Sequence, residues 1–250
     1  MSSIGTGYDL SASTYSPDGR IFQIEYANKA VENAGTVIGI RTKDGVILAA
    51  QKLLDSKLLV SGTAKRILTA DMHIGMASAG LRADGKHLQT RAREECKNYR
   101  DNYMSPIPLK HLSDRLGSYL NAYTLYSSVR PFGISTVISS CDKNGPQLYA
   151  IEPSGLYWGY QATAIGKGKQ LAQTELEKLN FDELSMRQAV FEAARIIHLV
   201  HDPTKDKGFE LEISWIGKDS QYKHAHVPAQ LYDEANELGK TQAESGRMQE

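Results

Sequence analysis

Only two cysteines, Cys96 and Cys141, occur in this 250-residue chain. A pair that sparse supports neither a disulfide scaffold nor a zinc site, so the expectation is two reduced core thiols in a reducing compartment. An excess of one charge is also missing, since 29 Lys plus Arg face 29 Asp plus Glu. No overall field therefore draws nucleic acid or an anionic membrane, and any charge-guided contact has to be local. Apolar runs are short or interrupted, as around residues 45–50 and 195–200, and none approaches a membrane span. Met1-Ser2-Ser3-Ile4-Gly5 has neither the basic nor the apolar region of a secretory signal. The expectation is a soluble intracellular chain with no nucleic-acid partner, no membrane partner and no cofactor or metal.

A chain of this length can bury a sizeable core, and no linker interrupts it, so residues 1–250 read as one domain. The organising stretch is residues 8–36. Pro17 presets its own φ, and Asp18-Gly19 tolerate tight-turn conformations, so Ser16-Pro17-Asp18-Gly19 predicts a reverse turn. A helix over 20–34 follows, with Phe22, Tyr26 and Ala30 at fourfold spacing and Ile24, Ala27 and Val31 beside them. Gly35 ends it. Residues 1–7 are small and polar with two glycines, and the tail through residue 11 is expected to be mobile.

Downstream, the runs 36–41 and 45–50 flank Lys43-Asp44-Gly45 and predict a hairpin. A second strand pair is expected at 66–70 and 73–79, its small residues facing a helix. Helices follow at 81–103, with Leu88, Ala92 and Cys96 inward, and at 109–125, with Leu112, Leu116 and Tyr119 or Leu120 inward. Strands resume at 133–138, 147–151 and 157–164, then helices at 167–178 and 185–201, then strands at 209–216 and 222–227. An amphipathic helix over 229–238 precedes a tail, 239–250, expected to fray. Strand groups separated by helix pairs do not alternate as βαβ units would. The pattern predicts an α+β fold of two sheets covered by two helical layers.

Tyr8-Asp9, the run Ser13-Thr14-Tyr15-Ser16-Pro17-Asp18-Gly19-Arg20 and Phe22-Gln23-Ile24-Glu25-Tyr26-Ala27 together resemble the amino-terminal signature of proteasome alpha subunits. The resemblance continues through Gly80-Leu81-Arg82-Ala83-Asp84, Tyr123-Thr124, Arg130-Pro131-Phe132-Gly133, Pro153-Ser154-Gly155 and Ala164-Ile165-Gly166-Lys167-Gly168. Three details point to one subtype within the family: Ile4-Gly5-Thr6-Gly7, Leu10 and the run from Phe209 to Trp215. The resemblance implies the four-layer αββα sandwich of amino-terminal-nucleophile hydrolases. It implies a non-catalytic subunit of a heptameric alpha ring, stacked on a catalytic beta ring, in ubiquitin-dependent degradation in cytoplasm and nucleus. The alpha amino termini would gate entry of unfolded polypeptide, with Tyr8, Asp9, Pro17 and Tyr26 holding the open state and Tyr8 and Asp9 packing against a neighbour. Arg66, Gly80 and Leu81 match a pocket that receives the carboxyl terminus of an activator, such as the ATPase-containing regulatory particle. Three departures stand out: Leu10 where most alpha subunits have arginine, Arg66 where the family has lysine, and a mixed-charge carboxyl end in place of an acidic tail.

The competing reading is a threonine peptidase in which cleavage after Gly35 frees Thr36 as nucleophile. Such a nucleophile needs its own α-amine or a lysine as base. Here the acidic partner and base lysine of active beta subunits fall near Gln51 and Arg66, which supply neither a carboxylate nor a neutral amine. Gly166-Lys167-Gly168-Lys169 lacks P-loop spacing and reads as a strand-to-helix turn. Ser140 and Lys143 match a serine–lysine pattern only through a turn. His224 and His226 read as solvent-facing histidines without a third ligand.

Overall fold

The central strands are apolar on successive residues, which works only where both faces of a sheet are covered. A computed structural model, describing residues 7–54, 56, 58–204, 206 and 208–247, places them so. Helix α1 (Phe22–Glu32) leads into the hairpin β1 (Val37–Arg41) and β2 (Gly45–Leu53), then β3 (Ile67–Asp71) and β4 (Ile74–Gly80). Next come α2 (Arg82–Tyr103), α3 (Leu109–Ala122), β5 (Ile134–Asp142), β6 (Gly145–Ile151), β7 (Tyr157–Gly159) and β8 (Ala162–Ile165). The chain continues through α4 (Lys169–Leu176), α5 (Met186–Val200), β9 (Phe209–Gly217), β10 (Ala225–His226) and α6 (Ala229–Arg247). One sheet runs β10-β9-β2-β1-β8 and the other β3-β4-β5-β6-β7, all pairs antiparallel.

Three buried layers follow from strand alternation. Ile38, Ile40, Ile47 and Ala49 point outward against α4, α5 and α6, while Val37, Val46, Leu48 and Ala50 meet Ala77, Ala79, Val137 and Leu148 between the sheets. On the far side Ile74, Met76, Ile134 and Ile138 pack under Leu88, Ala92, Leu112, Leu116 and Leu120 of α2 and α3. The α+β four-layer sandwich is therefore the observed architecture. The small residues Ala77 and Ala79, expected against a helix, instead face the other sheet and let the sheets approach.

Helix α5 starts where predicted because Ser185 and Gln188 form a reciprocal capping box. Cys96 and Cys141 are free and buried, and burial pushes the Cys96 thiol up to about 12, well away from the reactive thiolate range.

Among the boundaries that differ from expectation, three are decided by distant chain. The run 157–164 is two strands in different sheets: Tyr160 N still bonds Leu148 O beside β6, while Arg41 N bonds Gln161 O in the first sheet, so the chain crosses over between them. Strand β10 is confined to Ala225–His226. The end does not fray at residue 239, since α6 continues to Arg247 and Gly239 lies directly on the Ala194 backbone of α5. Residues 248–250 lie outside the described residues, as do residues 1–6 of the tail expected to be mobile through residue 11.

Candidate functional site

Four backbone and hydroxyl bonds build the turn ahead of α1. Gly19 N bonds Ser16 O, Ser16 N bonds Arg20 O, and Arg20 N bonds Ser16 Oγ, each at 2.9 Å, while Ser16 Oγ also donates to Asp18. This closure holds Arg20 outside the helix, so α1 begins at Phe22 and ends at Glu32, shorter at both ends than the predicted 20–34. The Arg20 guanidinium folds back over the Phe22 ring, 4.9 Å from its centre, and forks onto the Glu25 carboxylate. That hydrogen bond, ahead of burial, sets the direction for Glu25, whose pKa is lowered.

The tail is tied to this helix at Asp9. Tyr26 Oη donates to Asp9 Oδ2 at 3.0 Å, and Gln23 Nε2 donates to the Asp9 carbonyl. The Asp9 carboxylate raises the Tyr26 phenol pKa, with burial adding to it. Tyr26 stacks on Phe22, with ring centres 6.3 Å apart. Of the four residues expected at a gate, Asp9 and Tyr26 touch, Pro17 sits exposed in the turn, and Tyr8 is 42% exposed beside them in sequence. Asp9 is engaged by its own helix. Leu10 is 89% exposed.

The other three residues also converge. Arg66 Nη1 donates to the Gly80 carbonyl at 2.7 Å, at the end of β4 where Leu81 opens α2. Gly80 has φ +120°, and a Cβ there would lie 2.0 Å from Gly133 O, so the position requires glycine on both counts. Leu81 N bonds that same Gly133 O at 3.0 Å, leaving its side chain half exposed.

Gly133 is held in turn by Asp84, which accepts from Gly133 N at 3.0 Å and is forked by Arg130 at 2.7 and 2.9 Å. Burial raises the Asp84 pKa, but the bonds from Arg130 and Gly133 outweigh it and the net direction is down. The Arg130-Gly133 motif thus braces the wall carrying Gly80 and Leu81. The sequence contains these residues as motif letters but gives no sign of the long-range pairing.

Thr36 lacks the apparatus of a nucleophile. It is buried inside a continuous chain, and its nitrogen is a peptide amide donating to Gln51 Oε1 at 3.2 Å. An amide has no basic lone pair, so it cannot activate the hydroxyl. The hydroxyl accepts from Gly168 N at 3.0 Å, and Gln51 Nε2 lies 3.1 Å from His201 Nδ1. Gly35 has a packing role: a Cβ would sit 2.1 Å from the Gln51 carbonyl oxygen. The 166–169 turn spends its amides in the same knot, with Lys167 N on Ala34 O and Lys167 Nζ on Asp206. It is the strand-to-helix turn expected, not an anion cradle.

His224 corrects the solvent-facing reading. Its ring bridges the sheets from Thr69 Oγ1 at 2.8 Å to Ser214 Oγ at 2.9 Å, and burial, then the neighbouring His226, lowers its pKa to about 4. His226 is exposed. The tripeptide gave no hint that its first histidine turns inward, because the Thr69 and Ser214 partners lie on other strands.

Two family models match the chain, one for the proteasome subunit over residues 31–216 and one for the N-terminal signature of A-type proteasome subunits over residues 8–30. The chain is 52% identical to "Proteasome subunit alpha type-3" of Dictyostelium discoideum, over 99% of this chain and 100% of that protein. It is 51% identical to the protein of the same name in Arabidopsis thaliana, over 98% of each. With "Probable proteasome subunit alpha type-7" of Schizosaccharomyces pombe it shares 53% identity over 94% of this chain and 92% of that one. The amino-terminal signature is the part that distinguishes alpha-type members, and it coincides with the segment that forms the turn, the Asp9 tie and α1. This chain belongs to the proteasome alpha-subunit family and is a non-catalytic subunit of the core particle, assembling with other proteasome subunits in protein degradation.

Proposed function

We propose that this protein gates substrate entry and docks activators in a heptameric alpha ring stacked on the beta ring. The gate consists of the amino-terminal tail together with Tyr8, Asp9, Pro17 and Tyr26. The observation that carries this reading is the tie of Asp9 to Tyr26 and Gln23, which fixes the chain ahead of α1. A polar tail costs little to displace, and an Asp–Tyr contact that can be exchanged for a neighbour's turn supplies a second state to select. The docking element is Arg66 with Gly80 and Leu81: a permanent cation beside an exposed leucine suits a carboxyl-terminal carboxylate and its last apolar side chain. Its partners would be the ATPase-containing regulatory particle and other activators, and unfolded polypeptide would pass the pore. The setting of this work would be the cytoplasm and nucleus, in ubiquitin-dependent degradation.

Deleting residues 2–11 tests the gate. Basal hydrolysis of small peptides by the assembled particle should rise severalfold without activator, because this chain's share of the plug is gone. Unchanged basal hydrolysis in a fully assembled particle would remove the tail from the gate.

A further inference from the structure

Strand β9 carries Glu210 and Glu212 two residues apart, hence on one face, the same face as Ser214 and Ile216 that looks toward the other sheet. Both carboxylates reach across to the segment entering β3. Glu210 takes Lys52 Nζ at 2.6 Å and lies 3.3 Å from Gly62 N. Glu212 Oε2 accepts two consecutive backbone amides, Arg66 N at 2.9 Å and Ile67 N at 3.0 Å.

The place of these two bonds is informative. Strand β3 is the edge of its sheet, and its ladder with β4 opens at Ile67 opposite Ala77. Arg66 therefore sits one residue beyond the ladder, tied on its carbonyl side by a 3.3 Å bond from Ser78 N. On its amide side the tie is Glu212. A residue at the end of an edge strand frays readily, and charge-assisted bonds to its amide counter that. With the backbone fixed there, the Arg66 side chain reaches the Gly80 carbonyl.

We propose that Glu212 is a positioning residue for carboxylate capture: it fixes the Arg66 backbone so that the guanidinium stands at Gly80 and Leu81, ready for an activator's carboxyl terminus. This rests on the pocket reading above. Glu212 makes no contact with the incoming chain in this scheme. It acts as a hydrogen-bond acceptor: the role requires an acceptor oxygen at this position, and the charge only strengthens the two bonds.

The test is binding of the ATPase-containing regulatory particle to assembled core particles carrying Glu212→Leu, Glu212→Gln or Arg66→Glu, with basal peptide hydrolysis as the assembly control. Glu212→Leu should weaken binding about tenfold, the loss of roughly one good charge-assisted bond. Glu212→Gln, which keeps an acceptor oxygen, should bind close to the unaltered particle. Should the leucine variant fail to assemble, Glu212→Asp, one methylene too short to reach both amides, takes its place with the same expected loss. Unaltered binding by the leucine or aspartate variant, alongside weakened binding by Arg66→Glu, would overturn the role of Glu212 and leave the pocket standing. Glutamine no better than leucine would overturn the acceptor argument. Full binding by Arg66→Glu would sink the pocket itself, and the Glu212 inference with it.

Discussion

Replacing Gly80 by alanine is expected to destabilise the chain by on the order of 3–5 kcal/mol, one of the largest effects available to a single methyl group here. Two costs add. The φ of +120° is one that an L side chain rarely adopts, and the new Cβ would lie 2.0 Å from the Gly133 carbonyl oxygen, which is backbone and cannot rotate away. Relief requires β4 to separate from the 130–133 segment. That would break the bond from Leu81 N to Gly133 O and move the carbonyl that receives Arg66. The thermal midpoint of the variant should fall by roughly 10 °C, and regulatory-particle binding should weaken in any particles that assemble. A midpoint within a degree or two of the unaltered chain would contradict the close approach of Gly80 and Gly133.

Asp84 should be nearly as sensitive, for an electrostatic reason. Its carboxylate satisfies the buried Gly133 amide and pairs with Arg130, whose side chain is 62% exposed. Solvent screens the arginine half, so the pair itself contributes about 1 kcal/mol. Orphaning the Gly133 amide costs about 1–3 kcal/mol more. Asp84→Ala should thus cost roughly 2–4 kcal/mol in a denaturant titration, whereas Asp84→Asn, which keeps an acceptor, should cost about half of that.

The unaltered chain also differs from both variants in pH dependence, because neither replacement titrates. The folded-state pKa of Asp84 is lowered from 3.8, so its stabilising contribution is present above that value and is lost as pH falls below it. The stability gap between the unaltered chain and Asp84→Asn should therefore be constant from pH 7 to about 5 and close below pH 4. A gap independent of pH through that range would mean that the bonds from Arg130 and Gly133 do not favour the charged carboxylate over its burial cost.

How far the sequence led can be judged element by element. Local signals were sufficient wherever the cause was local: Lys43-Asp44-Gly45 marks the first hairpin, Ser185 starts α5, and the Leu88, Ala92, Cys96 spacing marks the buried face of α2. The layer order followed because helix pairs separated the strand groups. Local signals are insufficient where distant chain decides. Residues 157–164 look like one strand, but whether the chain stays beside β6 or crosses to β1 depends on partners far away in sequence. The last turns of α6 persist because α5 lies under Gly239, which composition alone does not reveal. His224 reads as a surface residue until Thr69 and Ser214 are brought to either side of it.

The candidate site divides in the same way. Its residue types were legible through the resemblance, and the structure brings Asp9 to Tyr26 and Arg66 to Gly80. The residues that hold those groups in place, Asp84, Arg130 and Glu212, were not legible as such. Each acts across 46 to 146 positions of sequence, through bonds that leave no periodic trace.

If this chain is a non-catalytic member of its ring, the segment before Thr36 is a retained working part of it. The intact mass of the chain released from assembled core particles isolated from cells decides that point. The expected mass includes the residues preceding Thr36, with the Asp9 tie and α1 present in the working particle. A chain beginning at Thr36 would contradict it, because the amide that now donates to Gln51 would then be a free α-amine and Thr36 would regain the means to act as a nucleophile.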